Sequence, residues 1–133
     1  MNNNQPIALQ KWHRVMKNGE IHLLDELLAE DVVFHSPVVW TPQEGKKITK
    51  KYLTAAAYVL GGDFKYVREV VNERHFVLEF VCNIEGITVN GIDMIEVNEN
   101  HQIVDFKVLI RPLQAIKKVH QKMGEMLMKA TKK

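Results

Sequence analysis

The 133-residue chain has little of what secreted, membrane-spanning or metal-binding proteins depend on. Its single cysteine, Cys82, excludes an internal disulfide, fits a reducing compartment and lies in an apolar pattern typical of a buried, inert thiol. No apolar run approaches the roughly 20 residues that span a bilayer, and the N-terminus lacks the basic and apolar regions of a leader. We therefore expect a cytoplasmic protein without a membrane partner.

An excess of charge of one sign is also missing. The chain has 18 basic and 16 acidic residues, a net charge of +2, so no global field attracts nucleic acid. The six histidines show no metal-ligand spacing, and no glycine-rich phosphate loop is present. We predict no metal, cofactor or nucleic-acid partner. With 46% hydrophobic residues, the length fits one globular domain over residues 1–133.

The spacing of the hydrophobic residues changes once along the chain, near residue 62. It changes from the helical period of about 3.6 residues to the strand period of 2 residues. Three helices come first, over 6–18, 21–28 and 48–59, with one strand over 31–36. Four longer strands follow, over 64–71, 75–86, 87–97 and 102–111, and a final amphipathic helix covers 112–133. Helices followed by an antiparallel sheet predict an α+β fold in which a curved sheet wraps the third helix.

Asp93 is the most informative residue. Strand alternation places it on the same face as Val89 and Ile95. A carboxyl on an apolar strand face must be paired, hydrogen-bonded or held neutral. This position favours a functional site. The alternative is a structural acid that is capped by the backbone or by Arg111.

Several stretches of the sequence resemble the SnoaL-like branch of the nuclear transport factor 2-like (NTF2-like) superfamily. They are Met16–Glu20, Leu28–Val38, Gly45, Gly91–Ile95 and Ile110–Pro112. The resemblance implies a cone-shaped, cystatin-like roll, in which a curved antiparallel sheet and helices enclose an apolar pocket, and it implies a homodimer. It does not imply one activity, because the superfamily includes isomerases, hydrolases, cyclases and non-catalytic binders.

Ketosteroid isomerase, a member of this superfamily, uses an aspartate base, a tyrosine donor and a protonated aspartic acid. By resemblance, the acid falls on Asp93, the donor on Trp12 and the base on Ser36. An indole can donate a hydrogen bond but cannot accept one. A serine hydroxyl does not take a proton unaided at neutral pH. Proton transfer by the isomerase route is therefore not expected.

The predicted catalytic residues are Asp93, as hydrogen-bond donor or proton relay, and His35, as general base or acid. A histidine at a strand end is alternatively a surface or hydrogen-bonding residue. The predicted ligand-binding wall consists of aromatic and aliphatic residues that also suit a core. They are Trp12, Phe34, Tyr52, Tyr58, Phe106, Val108 and Ile110.

Three functions remain open. The first is binding of a small hydrophobic ligand, with acid–base chemistry on a carbonyl- or hydroxyl-bearing substrate. The second is a non-catalytic dimeric binding or assembly module. The third is an epoxide-hydrolase-like enzyme, which needs Asp93, Arg111 and either Glu79 or Asp105 around one water. For Glu79 we favour an outer-face pair with Lys107 or Arg111, and for Arg111 a structural tie to an acid such as Asp105.

Overall fold

The computed structural model describes residues 5–131, and their side chains up to residue 129. The helices are α1 (Ile7–Asn18), α2 (Leu24–Leu27), α3 (Lys46–Leu60) and α4 (Leu113–Thr131), with a 3₁₀ turn over Ile21–Leu23. The strands are β1 (Leu28–His35), β2 (Gln43–Glu44), β3 (Lys65–Val71), β4 (His75–Ile84), β5 (Ile87–Val97) and β6 (Ile103–Arg111).

The six strands form one curved sheet in the order β2-β1-β6-β5-β4-β3. Neighbouring strands from β3 to β6 are antiparallel, whereas β1 lies parallel to β6. The predicted α+β class and the curved sheet around helices are confirmed. No helix in the described part of the chain is both long and apolar enough to cross a membrane.

The local predictions differ from the structure at two places in the first half of the chain. The predicted second helix is reduced to the 3₁₀ turn and the single turn of α2, because the extended backbone of β1 already begins at Leu28. The two-residue strand β2 was not predicted, since so short an edge strand carries no periodicity. Gly19 ends α1 in the left-handed conformation, with φ 68°, as its position after Asn18 suggests.

The inner face of the sheet, which we define as the face turned toward α1, α3 and α4, carries the core. Alternate residues of β4, among them Phe76, Leu78 and Phe80, are almost fully buried there. Cys82 continues the same row, and burial raises the pKa of its thiol to about 11. The thiol is therefore protonated at neutral pH, as an inert core residue is.

Candidate functional site

Asp93 lies in the middle of β5 on the inner face and is only 5% exposed. Its partners across the sheet are Leu78 on β4 and Val108 on β6, so the carboxyl projects from an apolar surface. Burial raises the pKa of Asp93 to about 7, and a hydrogen bond from Tyr66 opposes that rise. Near neutral pH the carboxyl is therefore present in both protonated and ionised forms.

A hydrogen-bonded chain of three side chains holds Asp93. The indole Nε1 of Trp12 donates to the hydroxyl oxygen of Tyr66 at 2.8 Å, and that hydroxyl donates to Oδ2 of Asp93 at 2.5 Å. The direction of the Trp12–Tyr66 bond is fixed because an indole can only donate. Burial raises the pKa of Tyr66 well above its ordinary 10, so its proton stays in place. Oδ1 of Asp93 has no protein hydrogen-bond partner among the described residues.

A cavity of about 180 Å³ lies against Asp93, between the inner face and the helices. Its wall is built from α1, the end of β1 and the loop after it, α3, β6 and α4. The surface of this wall is mainly apolar, and Asp93 is the buried acid in it. A carboxyl that faces an apolar cavity can bind a polar group of a ligand with little competition from water.

Six of the seven residues predicted for a ligand wall line this cavity. They are Trp12, Phe34, Tyr52, Phe106, Val108 and Ile110. The prediction for Tyr58 is wrong, because its side chain is 68% exposed and does not line the cavity. Six residues beyond Tyr52, Tyr58 is rotated by about 240° around the helix, away from the cavity side of α3.

The structure does not bring His35 to Asp93. Phe34 points to the inner face, so its neighbour His35 points away, and its Nε2 lies 2.9 Å from Oδ1 of Asp105. His35 is absent from the cavity wall. The prediction that it acts with Asp93 is thus corrected, and the hydrogen-bonding alternative describes it.

The arginine and the second acid that an epoxide hydrolase would need beside Asp93 are bound to other side chains instead of converging with it. Arg111 donates from Nη1 to the Asn90 side chain at 3.0 Å, and not to Asp105. Glu79 accepts from the same asparagine at 3.1 Å and lies 3.4 Å from Arg68, which corrects its expected pairing with Lys107 or Arg111. The described residues contain no group of three or more histidine, cysteine or acidic side chains that could hold a metal ion.

Two residues of the site were missed in the sequence. Tyr66, the donor to Asp93, lies in β3, where a bulge between Tyr66 and Arg68 interrupts the alternation that would have identified it. His120 lines the cavity from α4, the helix that the sequence predicts as amphipathic. The available signal was its position on the helix, one residue after Val119 and three before Met123, which are apolar residues that line the same cavity.

The comparisons identify relatives with this architecture. The model of the SnoaL-like domain family matches residues 9–106. No curated protein matches the chain significantly. The crystal structure of a steroid delta-isomerase from Pseudomonas aeruginosa is similar, with 30% identity, a TM-score of 0.90, and coverage of 95% of this chain and 93% of that one.

Two further solved structures extend the fold similarity. An uncharacterized protein with a cystatin-like fold from Silicibacter pomeroyi has 27% identity and a TM-score of 0.87, and the match covers 95% of this chain and 89% of that one. An NTF2-like protein of unknown function from Mesorhizobium loti has 18% identity and a TM-score of 0.71, with coverage of 79% and 88%. At 18% identity, the similarity to the Mesorhizobium loti protein concerns the fold alone.

Proposed function

The chain belongs to the SnoaL-like domain family, and from this premise we propose that it binds a small hydrophobic molecule with a carbonyl or hydroxyl group. The ligand occupies the internal cavity, and its oxygen is bound by Asp93. The similarity to a steroid delta-isomerase supports a ligand of this general chemistry. The observation that carries the proposal is a buried carboxyl at an apolar cavity with one oxygen still available.

The Trp12–Tyr66–Asp93 chain supports binding of either polar group. Because Oδ2 already accepts from Tyr66, a proton on Asp93 belongs on Oδ1, where it can be donated to a carbonyl oxygen. When Asp93 is ionised, Oδ1 can instead accept from a hydroxyl. Carbonyl ligands should therefore bind more weakly as the pH rises through about 7, and hydroxyl ligands more tightly.

Acid–base catalysis is the second candidate function. Ser36 lies in the cavity wall and, by resemblance, stands where the isomerase has its base, so the isomerase route lacks a proton acceptor there. His120 supplies an imidazole to the same cavity, and an imidazole can accept or donate a proton. The test is NMR detection of deuterium exchange next to the carbonyl of a bound ketone. Catalysis by His120 predicts exchange that His120→Gln abolishes.

We also propose that the protein is a homodimer joined through the outer face of the sheet. This face carries an outer aliphatic patch, which consists of Val70, Val77, Ile92, Met94 and Leu109. Met94 is 40% exposed and Leu109 49% exposed, and contiguous apolar patches of this kind favour association. Sedimentation of the normal protein should give a dimer and Leu109→Asp a monomer. A normal protein that sediments as a monomer at micromolar concentration would contradict the proposal.

Calorimetric titration with acetophenone, a ketone, tests the ligand site. Asp93→Leu replaces both carboxyl oxygens with methyl groups on the same branched skeleton and should abolish measurable binding. Asp93→Asn retains a donor, so it should still bind the ketone but lose the pH dependence around 7. Asp105→Asn is the matched control, because its carboxyl lies beside His35 and outside the cavity. Equal affinities in the normal protein and Asp93→Leu would exclude Asp93 as the binding group.

A further inference from the structure

We propose that the ligand is a single-ring molecule, with its carbonyl or hydroxyl group on Asp93, and not a fused multi-ring compound. This inference rests on the proposed function and specifies its ligand class. It follows from the size of the cavity, from the packing of the aromatic residues around it, and from the position of its open side.

The size of the cavity sets the first limit. Its volume is about 180 Å³. An engineered apolar cavity of about 150 Å³ in another protein takes up benzene, whereas sites for drug-sized ligands span about 300–1,000 Å³. The cavity therefore holds one ring with a short substituent.

The aromatic side of the wall cannot easily expand. Trp12 meets the Phe106 ring edge to face, with centroids 4.9 Å apart, and the Phe34 ring lies 6.0 Å from Phe106 and 5.6 Å from Tyr52. Trp12, Phe34 and Phe106 are at most 3% exposed, and Trp12 is also held by its hydrogen bond to Tyr66. Moving one of these rings disturbs the others, so a larger ligand gains no room here.

The remaining wall is partly open. The loop after β1 contributes Val39, which is 44% exposed, and α4 contributes the exposed His120. A ligand whose first ring reaches Asp93 would extend further rings past these residues into solvent. Rings that stay in solvent bury little apolar surface and add little affinity. On α4, the flexible side chain of Met123 lines the cavity, so truncating it enlarges the cavity.

A series of ketones of increasing size tests the inference by calorimetry. The compounds are acetophenone with one ring, 1-tetralone with two fused rings and androstenedione with four. We expect acetophenone to bind at least as tightly as androstenedione, because the further rings of the larger ketone stay in solvent and add little affinity. Met123→Ala should improve androstenedione binding by about fivefold or more. The matched control is Met128→Ala, because Met128 is 61% exposed and outside the wall, and it should change nothing.

The outcomes separate this inference from the proposed function. Tightest binding by androstenedione, with loss of that binding in Asp93→Leu, would overturn the single-ring limit and leave Asp93 as the ligand anchor. Improvement by Met128→Ala as large as by Met123→Ala would also overturn it, since the gain would not come from the cavity. Binding of acetophenone that Asp93→Leu does not alter would instead contradict the proposed function, and failure of every ketone to bind would contradict both.

Discussion

Asp93 and Glu79 are acids in similar apolar strand patterns, and they lie on opposite faces of one sheet. In the pairing of β4 with β5, Leu78 is opposite Asp93 and Glu79 is opposite Ile92. Asp93 is buried at the cavity with the neutral donor Tyr66. The side chain of Glu79 is 25% exposed and lies near the cation of Arg68. The shift of a single residue along the strand thus separates a site carboxyl from a surface one.

The partners of the two acids explain the difference in what they can do. Glu79 lies beside the Arg68 cation and accepts from Asn90 on the outer face. Tyr66 donates one hydrogen bond to Asp93 without bringing a charge, so burial still raises the pKa of Asp93 to about 7. In the proposed function, the inner carboxyl binds a carbonyl or a hydroxyl of the ligand, while the outer one contacts Arg68 and Asn90 at the surface.

The largest change in the free energy of unfolding is expected from Asp93→Asn, and the size of this change depends on pH. The pKa of Asp93 is raised in the folded protein from 3.8 to about 7. Above about pH 4 the unfolded chain releases a proton that the folded protein keeps, so the folded protein loses stability as the pH rises to 7. The full loss is about 4 kcal/mol. The side chain at position 93 of the variant cannot ionise. Between pH 4 and pH 8, the stability of the variant relative to the normal protein should therefore rise by about 4 kcal/mol.

Urea unfolding at the two pH values measures this gain, with Glu79→Gln as the matched control on the other face. The control removes a partly exposed carboxyl with a long contact to Arg68, so its effect on the free energy of unfolding should stay below about 1 kcal/mol. Equal pH-dependent effects of the two substitutions would show that the faces do not differ as described.

Gly91→Ala probes how tightly the inner face is packed beside Asp93. A Cβ at this position would lie 2.4 Å from the Phe80 ring and 2.7 Å from the backbone oxygen of Leu109. We expect a loss of about 2–3 kcal/mol in the free energy of unfolding. Gly124→Ala in α4 meets open space and should stabilise the helix by about 0.5–1 kcal/mol. Losses of similar size from both substitutions would contradict the tight packing at Gly91.

Tyr66→Phe removes the donor to Asp93 and leaves the Trp12 indole without its acceptor. The expected loss of stability is about 1–3 kcal/mol, and the pKa of Asp93 should rise above its normal value because the hydrogen bond lowers it. Urea unfolding and NMR titration measure these two effects. Tyr52→Phe is the control, since Tyr52 lines the same cavity but its hydroxyl has no hydrogen-bond partner among the described residues. An unchanged pKa of Asp93 in Tyr66→Phe would argue against the proposed chain.

The smallest loss in the free energy of unfolding is expected from Arg68→Ala on the outer face. The side chain of Arg68 is 77% exposed, and its Nε lies 3.4 Å from Glu79. Exposed ion pairs of this kind contribute less than about 1 kcal/mol. A loss above about 2 kcal/mol in urea unfolding would mean that the outer network holds the fold together, contrary to the distinction between the faces.

The sequence predicted the inner face of β5 and the position of Asp93 on it, because a regular alternation makes one misplaced carboxyl visible. The same pattern could not identify Tyr66, since the bulge after it shifts the register of β3. The alternation could have separated His35 from the site, because His35 follows the wall residue Phe34 in the same strand and strand neighbours lie on opposite faces. Which polar groups meet in space depends on how strands and helices converge, and a single sequence does not contain that distance information.

The ionisation of Asp93 tests the central claim most directly, by ¹³C NMR titration of its carboxyl carbon with and without saturating acetophenone. We predict titration near pH 7 in the free protein, and a higher pKa in the complex because the ketone binds the protonated form. Titration near the ordinary 3.8, or a pKa that acetophenone leaves unchanged, would contradict a buried carboxyl that binds the ligand oxygen.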